Sequence, residues 1–214
     1  MALSNYSDLK TALAAYLIRN GDEDFEGRTP EFIAMAESQL NRRLILRVME
    51  TTVPLTGTTG EAHIDLPPDY VEPIALHLTT YGTADELRPD VSGDMPYSLE
   101  NGSPQGWAID GETIRLDCPC DQAHTFTFRY RKSFALSDGS PTNWLLTNHP
   151  DAYLAASLGW GAAFALDDPS LARWKALAEE SISEIAWQQS RSERGTLRVD
   201  PSLAGRGSFN IISG

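Results

Sequence analysis

Residues 152–166 read A-Y-L-A-A-S-L-G-W-G-A-A-F-A-L, and no charged residue stands between Asp151 and Asp167. A surface helix keeps one polar face, whereas this run is apolar or small on every side, as a buried helix is. It is shorter than the ~20 apolar residues that cross a bilayer. The run is therefore predicted to be the central helix of a packed core, with no membrane span. Pro150 suits a first helical turn, where a missing N–H costs nothing, and Asp151 suits the positive end of the helix dipole. Ala155, Gly159, Ala162 and Ala163 fall on one stripe that would let a neighbouring backbone come close, while Tyr153, Leu154, Trp160 and Phe164 supply bulk. On this reading Gly159→Leu overpacks the core, a change that typically costs ~1–3 kcal/mol.

Three further helices follow from the same period. Residues 7–19 carry Leu9, Leu13, Tyr16 and Leu17 on one stripe, with Ser7 as cap and Asn20-Gly21 as stop. The acidic run 22–26 reads as a solvated loop, since it lacks the spacing of a calcium loop. Thr29-Pro30-Glu31 then opens a helix whose buried face is Phe32, Ile33, Ala36, Leu40 and Leu44. After Asp167, Asp168 serves as cap and Pro169 as first residue of a helix with Leu171, Trp174, Ala178, Ile182 and Ile185 inward. Four of the five Trp lie between Trp144 and Trp187, which places the weightiest core there.

Between Met49 and Phe134 the helical period gives way to short β-rich runs separated by turn residues. Strands are predicted at 51–55, returning at 62–66 after the Gly57–Gly60 turn, and at 73–81. Residues 107–109 and 113–116 flank Asp110-Gly111, a strong hairpin signal. Residues 125–131 alternate cleanly and put Phe126, Phe128 and Tyr130 on one face.

The predicted architecture is α+β. A four-helix core is built from residues 1–48 and 136–190, two helices from each, with an antiparallel β module inserted at 49–135. Residues 191–214 form a tail rich in glycine and poor in apolar residues. Ordering costs ~1–2 kcal/mol per residue in backbone entropy, and nothing within the tail offsets that. The tail is expected to be flexible alone and ordered only on a partner.

Charge sharpens the division. The chain carries a net −13 at pH 7, with a pI near 4.6. The tail holds four Arg against one Glu and one Asp, a net +2 that leaves −15 for the body. Such a body does not bind the outside of nucleic acid generically, but it can line a DNA channel without sticking. Arg42, Arg43 and Arg47 gather near a helix end. They complement the helix dipole or form a basic patch facing a partner or DNA.

Catalytic and metal chemistry find little support. Cys118-Pro119-Cys120 with His124 lacks the paired ligand spacing of a zinc site, and two cysteines make no disulfide framework. His149 and Asp151 flank a helix start and read as capping residues. No phosphate loop, nucleophile elbow or H-E-x-x-H is present. The N-terminus shows no basic region followed by an apolar run, so no signal peptide is expected. Neither a cofactor nor a metal is expected. Two other classes compete: a β module that recognises carbohydrate or host protein through Trp107, Tyr97 and Tyr81, and an acidic hydrolase using paired carboxylates.

Three segments resemble the head-to-tail adaptor (connector) proteins of tailed bacteriophages. They are the opening pair S-D-L-K-T-A-L-A-A-Y-L and T-P-E-F-I-A-M-A-E-S-Q-L-N-R-R-L, the central P-T-N-W-L-L-T-N-H-P-D-A-Y-L-A-A-S-L, and the C-terminal R-S-E-R-G-T-L-R-V. The resemblance implies a non-enzymatic structural protein of the virion neck, made in the host cytoplasm. It implies a homo-oligomeric, dodecameric ring beneath the portal protein that extends the DNA channel. Genomic DNA would pass without sequence-specific contact, and downstream tail or nozzle proteins would attach below. The tail is then the expected portal-docking element. Arg191, Arg194 and Arg198 fall on one side if the last helix continues, ready for bidentate contacts with carboxylates. Phe209, Ile211 and Ile212 add an apolar anchor or an edge strand.

Overall fold

The computed structural model describes residues 3–80, 83–90 and 95–193. The chain is α+β, with five α-helices and two four-stranded sheets among the described residues. The helices are α1 (Tyr6–Tyr16), α2 (Glu23–Arg43), α3 (Trp144–Asn148), α4 (Pro150–Phe164) and α5 (Asp168–Glu193). The strands are β1 (Glu50–Thr56), β2 (His63–Asp65), β3 (Tyr70–Thr80), β4 (Thr83–Glu86), β5 (Arg88–Pro89), β6 (Gly106–Asp110), β7 (Thr113–Leu116) and β8 (Thr125–Lys132). One sheet has the order β1-β8-β3-β4 and the other β2-β7-β6-β5.

Helix α4 is the buried helix that its sequence predicts. Every residue from Ala152 to Gly159 is buried, and it packs on α5, α2 and α1. The stripe of small residues behaves differently from expectation. Ala155, Gly159 and Ala163 line a cavity of about 290 Å³ between α4, α2 and α5. A Cβ at Gly159 would meet only Lys175 Cγ, at 3.9 Å. The crowded glycine is Gly161, where a Cβ would lie 2.9 Å from Leu17 Cδ1 and 3.3 Å from Phe25 Cζ. The tight approach at Gly161 is thus made by the end of α1 and the start of α2, whereas α5, which packs along α4, leaves space at Gly159.

Helix α2 begins seven residues before the predicted start. The acidic run is its first turn, since Asp22 caps it by accepting from the Phe25 N–H at 3.2 Å. Glu23, Asp24 and Glu26 then sit where the helix dipole favours negative charge. Pro30 is therefore inside the helix and cannot donate to the Glu26 carbonyl. The Thr29 hydroxyl donates to that carbonyl instead, at 2.8 Å, from a buried position. Caps elsewhere also shift by a residue or two. Asn5, not Ser7, caps α1, and Asp167, not Asp168, caps α5 by accepting from the Ser170 N–H at 3.2 Å.

The two sheets enclose a second core. Phe126, Phe128 and Tyr130 of β8 point into it as their alternation predicts, and Trp107 of β6 packs edge-on against Phe128. The hairpin at 107–116 forms with Gly111 at φ +61°, the glycine-first geometry of a two-residue turn. The expected return strand at 62–66 does not pair with β1. It crosses to the other sheet and pairs with β7, while β1 pairs with the distant β8. The module is also not wholly antiparallel, because β5 runs parallel to β6. Local turn signals cannot specify either pairing.

The weightiest core is in the helices, as expected, but the tryptophans there do not fill it. Trp144, Trp160 and Trp187 are exposed to a third or more and Trp174 is half-buried, whereas Trp107, in the β module, is 3 % exposed. The helical core is filled mainly by Leu, Ile and Ala, with Tyr6, Phe134 and Tyr153 as its buried aromatics.

These contacts order the two glycines. Gly159→Ala should raise the melting temperature, because Ala gains up to about 1 kcal/mol over Gly in a helix interior and the site has room. Gly161→Leu should lower stability by about 1–3 kcal/mol through overpacking. Thermal denaturation of both variants checks the order, and a Gly159→Ala variant clearly less stable than wild type would contradict it.

Candidate partner-binding surfaces

Glu37 of α2 lies on the buried face set by Ile33, Ala36 and Leu40. Its Oε1 accepts the Leu136 N–H at 2.7 Å and the Tyr153 hydroxyl at 2.9 Å. Asn143, which caps α3, donates from Nδ2 to that same hydroxyl at 2.7 Å. One turn further along α2, Asn41 donates to the Phe134 carbonyl at 2.9 Å and accepts its N–H at 2.7 Å. Together these side chains take the place of a strand and hold residues 134–136, where the chain leaves β8. Burial raises the Glu37 carboxyl above the usual range, against the lowering effect of its two hydrogen bonds. Burial, then the Glu37 charge, also raises the Tyr153 phenol. No second carboxylate joins Glu37 among the described residues, and its hydrogen bonds make it a structural clamp.

The predicted arginine patch is divided. Arg43 makes a bidentate pair with Glu179 of α5, at 2.8 and 2.7 Å. Those hydrogen bonds hold the Glu179 carboxyl below the usual carboxylate range. Arg43 is thus occupied within the fold. Arg42, whose Nε donates to the Ser38 carbonyl, and Arg47 are exposed, and no carboxylate pairs with either among the described residues. Beside them an open groove contains Ile45, Tyr70 and Val71.

Of the predicted tail residues, Arg191 is in the last turn of α5, with its guanidinium 4.6 Å above the Trp187 ring centroid. Arg194, Arg198, Phe209, Ile211 and Ile212 lie outside the described residues, as does Tyr81. Trp107 is buried with its indole N–H donating to the Leu87 carbonyl at 3.2 Å, so it offers no ligand platform. Tyr97 alone of that trio is seen exposed. Cys118 and Cys120 are free and buried, and burial pushes both thiols up. His124 meets Asp121 at 2.7 Å. No group of three or more metal-ligating side chains gathers among the described residues.

Sequence reasoning missed two exposed residues. Ile18 and Leu166 have φ of +55° and +54°. Each follows the cap of its helix in a Schellman motif. Arg19 and Ile18 donate to the carbonyls of Ala14 and Ala15, and Asp167 and Leu166 to those of Ala162 and Ala163. Glycine ordinarily takes this position, and an L side chain there costs ~1–2 kcal/mol. Both side chains project into solvent, 90 % and 88 % exposed. Absence of a glycine at these helix ends is a weak signal that only the observed dihedrals make readable.

The profile of the SU10 adaptor protein family matches residues 4–200. None of the curated proteins matches the chain closely enough to count as a relative. The match spans nearly the whole chain, both helical segments and the β module, and the chain belongs to the SU10 adaptor protein family, the head-to-tail adaptors of tailed bacteriophages. It is a phage structural adaptor, a component of the virion.

The Glu37 clamp gives a pH prediction. Burial holds the folded-state pKa of Glu37 above the ordinary carboxyl value, so this group's contribution is full below that value and is lost as pH rises through the folded pKa. The stability of Glu37→Gln relative to wild type should therefore climb as pH rises above the ordinary carboxyl range toward neutrality. Glu37→Ala, which strands two buried donors, should cost about 1–3 kcal/mol. Melting curves across that rise in pH check both, and a pH-independent Gln-to-wild-type difference would contradict the assignment.

Proposed function

We propose that this adaptor forms a ring beneath the portal protein, dodecameric as in the connectors it resembles, extends the DNA channel and offers downstream tail proteins their attachment platform. The observation that carries this reading is the family match across residues 4–200. The acidic body supports it, because a wall carrying net negative charge lets DNA pass without adhering. In this reading residues 1–48 and 136–190 make the ring's helical domain around a four-helix core. The inserted module at 49–135 faces neighbours or tail proteins. Residues 191–214 reach the portal, using Arg191, Arg194 and Arg198 for carboxylates and Phe209, Ile211 and Ile212 as the apolar anchor. Electron microscopy of the chain mixed with its portal protein tests the assembly, and a ring docked on the portal is the expected image.

Deleting residues 196–214 should leave the melting temperature nearly unchanged while abolishing assembly onto the portal. A truncated chain that docks with normal affinity would move the docking role to the helical body.

A further inference from the structure

A ring contact joins two different surfaces, one on each neighbour. Helix α2, 21 residues and so ~31 Å long, carries a candidate at each end. At its N-terminal end the C-termini of α1 and α4 come together, as the contacts of Leu17 with Gly161 and of Phe25 with Phe164 show. Ile18 and Leu166 project there beside the exposed Tyr16 and Phe164. The rim is acidic on balance: Arg19 and Arg28 lie there but are paired with Asp22, Asp24 and Glu31, and Glu23 and Asp168 have no basic partner among the described residues. At the C-terminal end, Ile45 and Val71 expose apolar surface in the open groove, and the exposed Val48 follows in the next turn. The rim here carries Arg42 and Arg47, with which no carboxylate pairs among the described residues, while Glu72 in the groove is held by Arg131. One end is apolar and acidic, the other apolar and basic, and they face away from each other along one helix.

We propose that the acidic end of one copy docks on the basic end of the next, with Ile18 and Leu166 against Ile45 and Val71, and Glu23 and Asp168 opposite Arg42 and Arg47. This contact rests on the ring-forming role proposed above and gives that role its subunit interface. Two nearly fully exposed aliphatic side chains held at a backbone angle that favours glycine would then be covered in the assembly. The charged rim sets direction, since like ends repel.

The test uses the full chain with purified portal rings, counting bound copies by native mass spectrometry. Arg42→Glu/Arg47→Glu and Glu23→Arg/Asp168→Arg should each fold, as circular dichroism reports, yet fail alone to complete a ring. An equimolar mixture of the two should restore assembly, because each reversed end then meets its opposite. Ile18→Gly/Leu166→Gly, which relieves both backbone positions, should keep or raise the melting temperature while weakening assembly at least ten-fold. Complete rings from either charge-reversed chain alone, failure of the mixture to restore them, or normal assembly of the glycine variant would overturn the interface. A wild-type chain that binds the portal without forming a ring would overturn the ring-forming role itself, and the interface with it.

Discussion

The arrangement depends on one buried carboxylate. Glu37 joins α2 to α4 through Tyr153 and to the exit of the β module through the Leu136 N–H. Asn41 completes the attachment at Phe134. The chain leaves β8 with backbone groups that no sheet neighbour satisfies, and buried backbone groups must find partners. Two side chains one turn apart on a helix provide them. The inserted module is thus tied to the helices by polar bonds at its root, where apolar packing of Met49, Phe134 and Leu136 also reaches the helical core.

Around this clamp the helical region separates what is buried from what is offered. Ala, Leu and Ile fill the interior, and α4 contributes almost no large side chain to solvent before Trp160. Aromatic residues mark its rim, where the exposed Phe164 covers the buried Phe25 and Phe32 and the exposed Tyr16 packs against Trp174. Arg28 and Arg173 stack over rings of this rim, favourable contacts that leave their charges near solvent. Such a rim suits a protein whose work is contact with other proteins, because amphipathic rings tolerate both exposure and burial.

Membership of the SU10 adaptor protein family fits a fold with two cores and polar ties between them. A structural adaptor needs rigid placement of several surfaces more than it needs a cleft. The bidentate Arg43–Glu179 pair braces α2 against α5. On the β module, the Arg129–Glu50 and Arg131–Glu72 pairs link β8 to its two neighbours on either side.

The periodic elements were legible in the sequence. The charge-free run at 152–166 showed a buried helix, strict alternation at 125–131 showed which side of β8 faces inward, and Asp110-Gly111 marked its hairpin. These depend on local period and turn chemistry, which neighbouring residues carry. The class of protein was legible through three segments resembling a known family. The tertiary structure alone decided that β2 abandons β1 for β7, that α2 tolerates Pro30 through the Thr29 hydroxyl, and that Gly161 is crowded while Gly159 faces a cavity. It alone decided that Arg43 is consumed by Glu179 while no carboxylate pairs with Arg42 or Arg47 among the described residues, and that Ile18 and Leu166 protrude at glycine-like angles. Each of these turns on which residues distant in sequence become neighbours, and a chain read one window at a time carries the period of its elements but not the identity of what they touch.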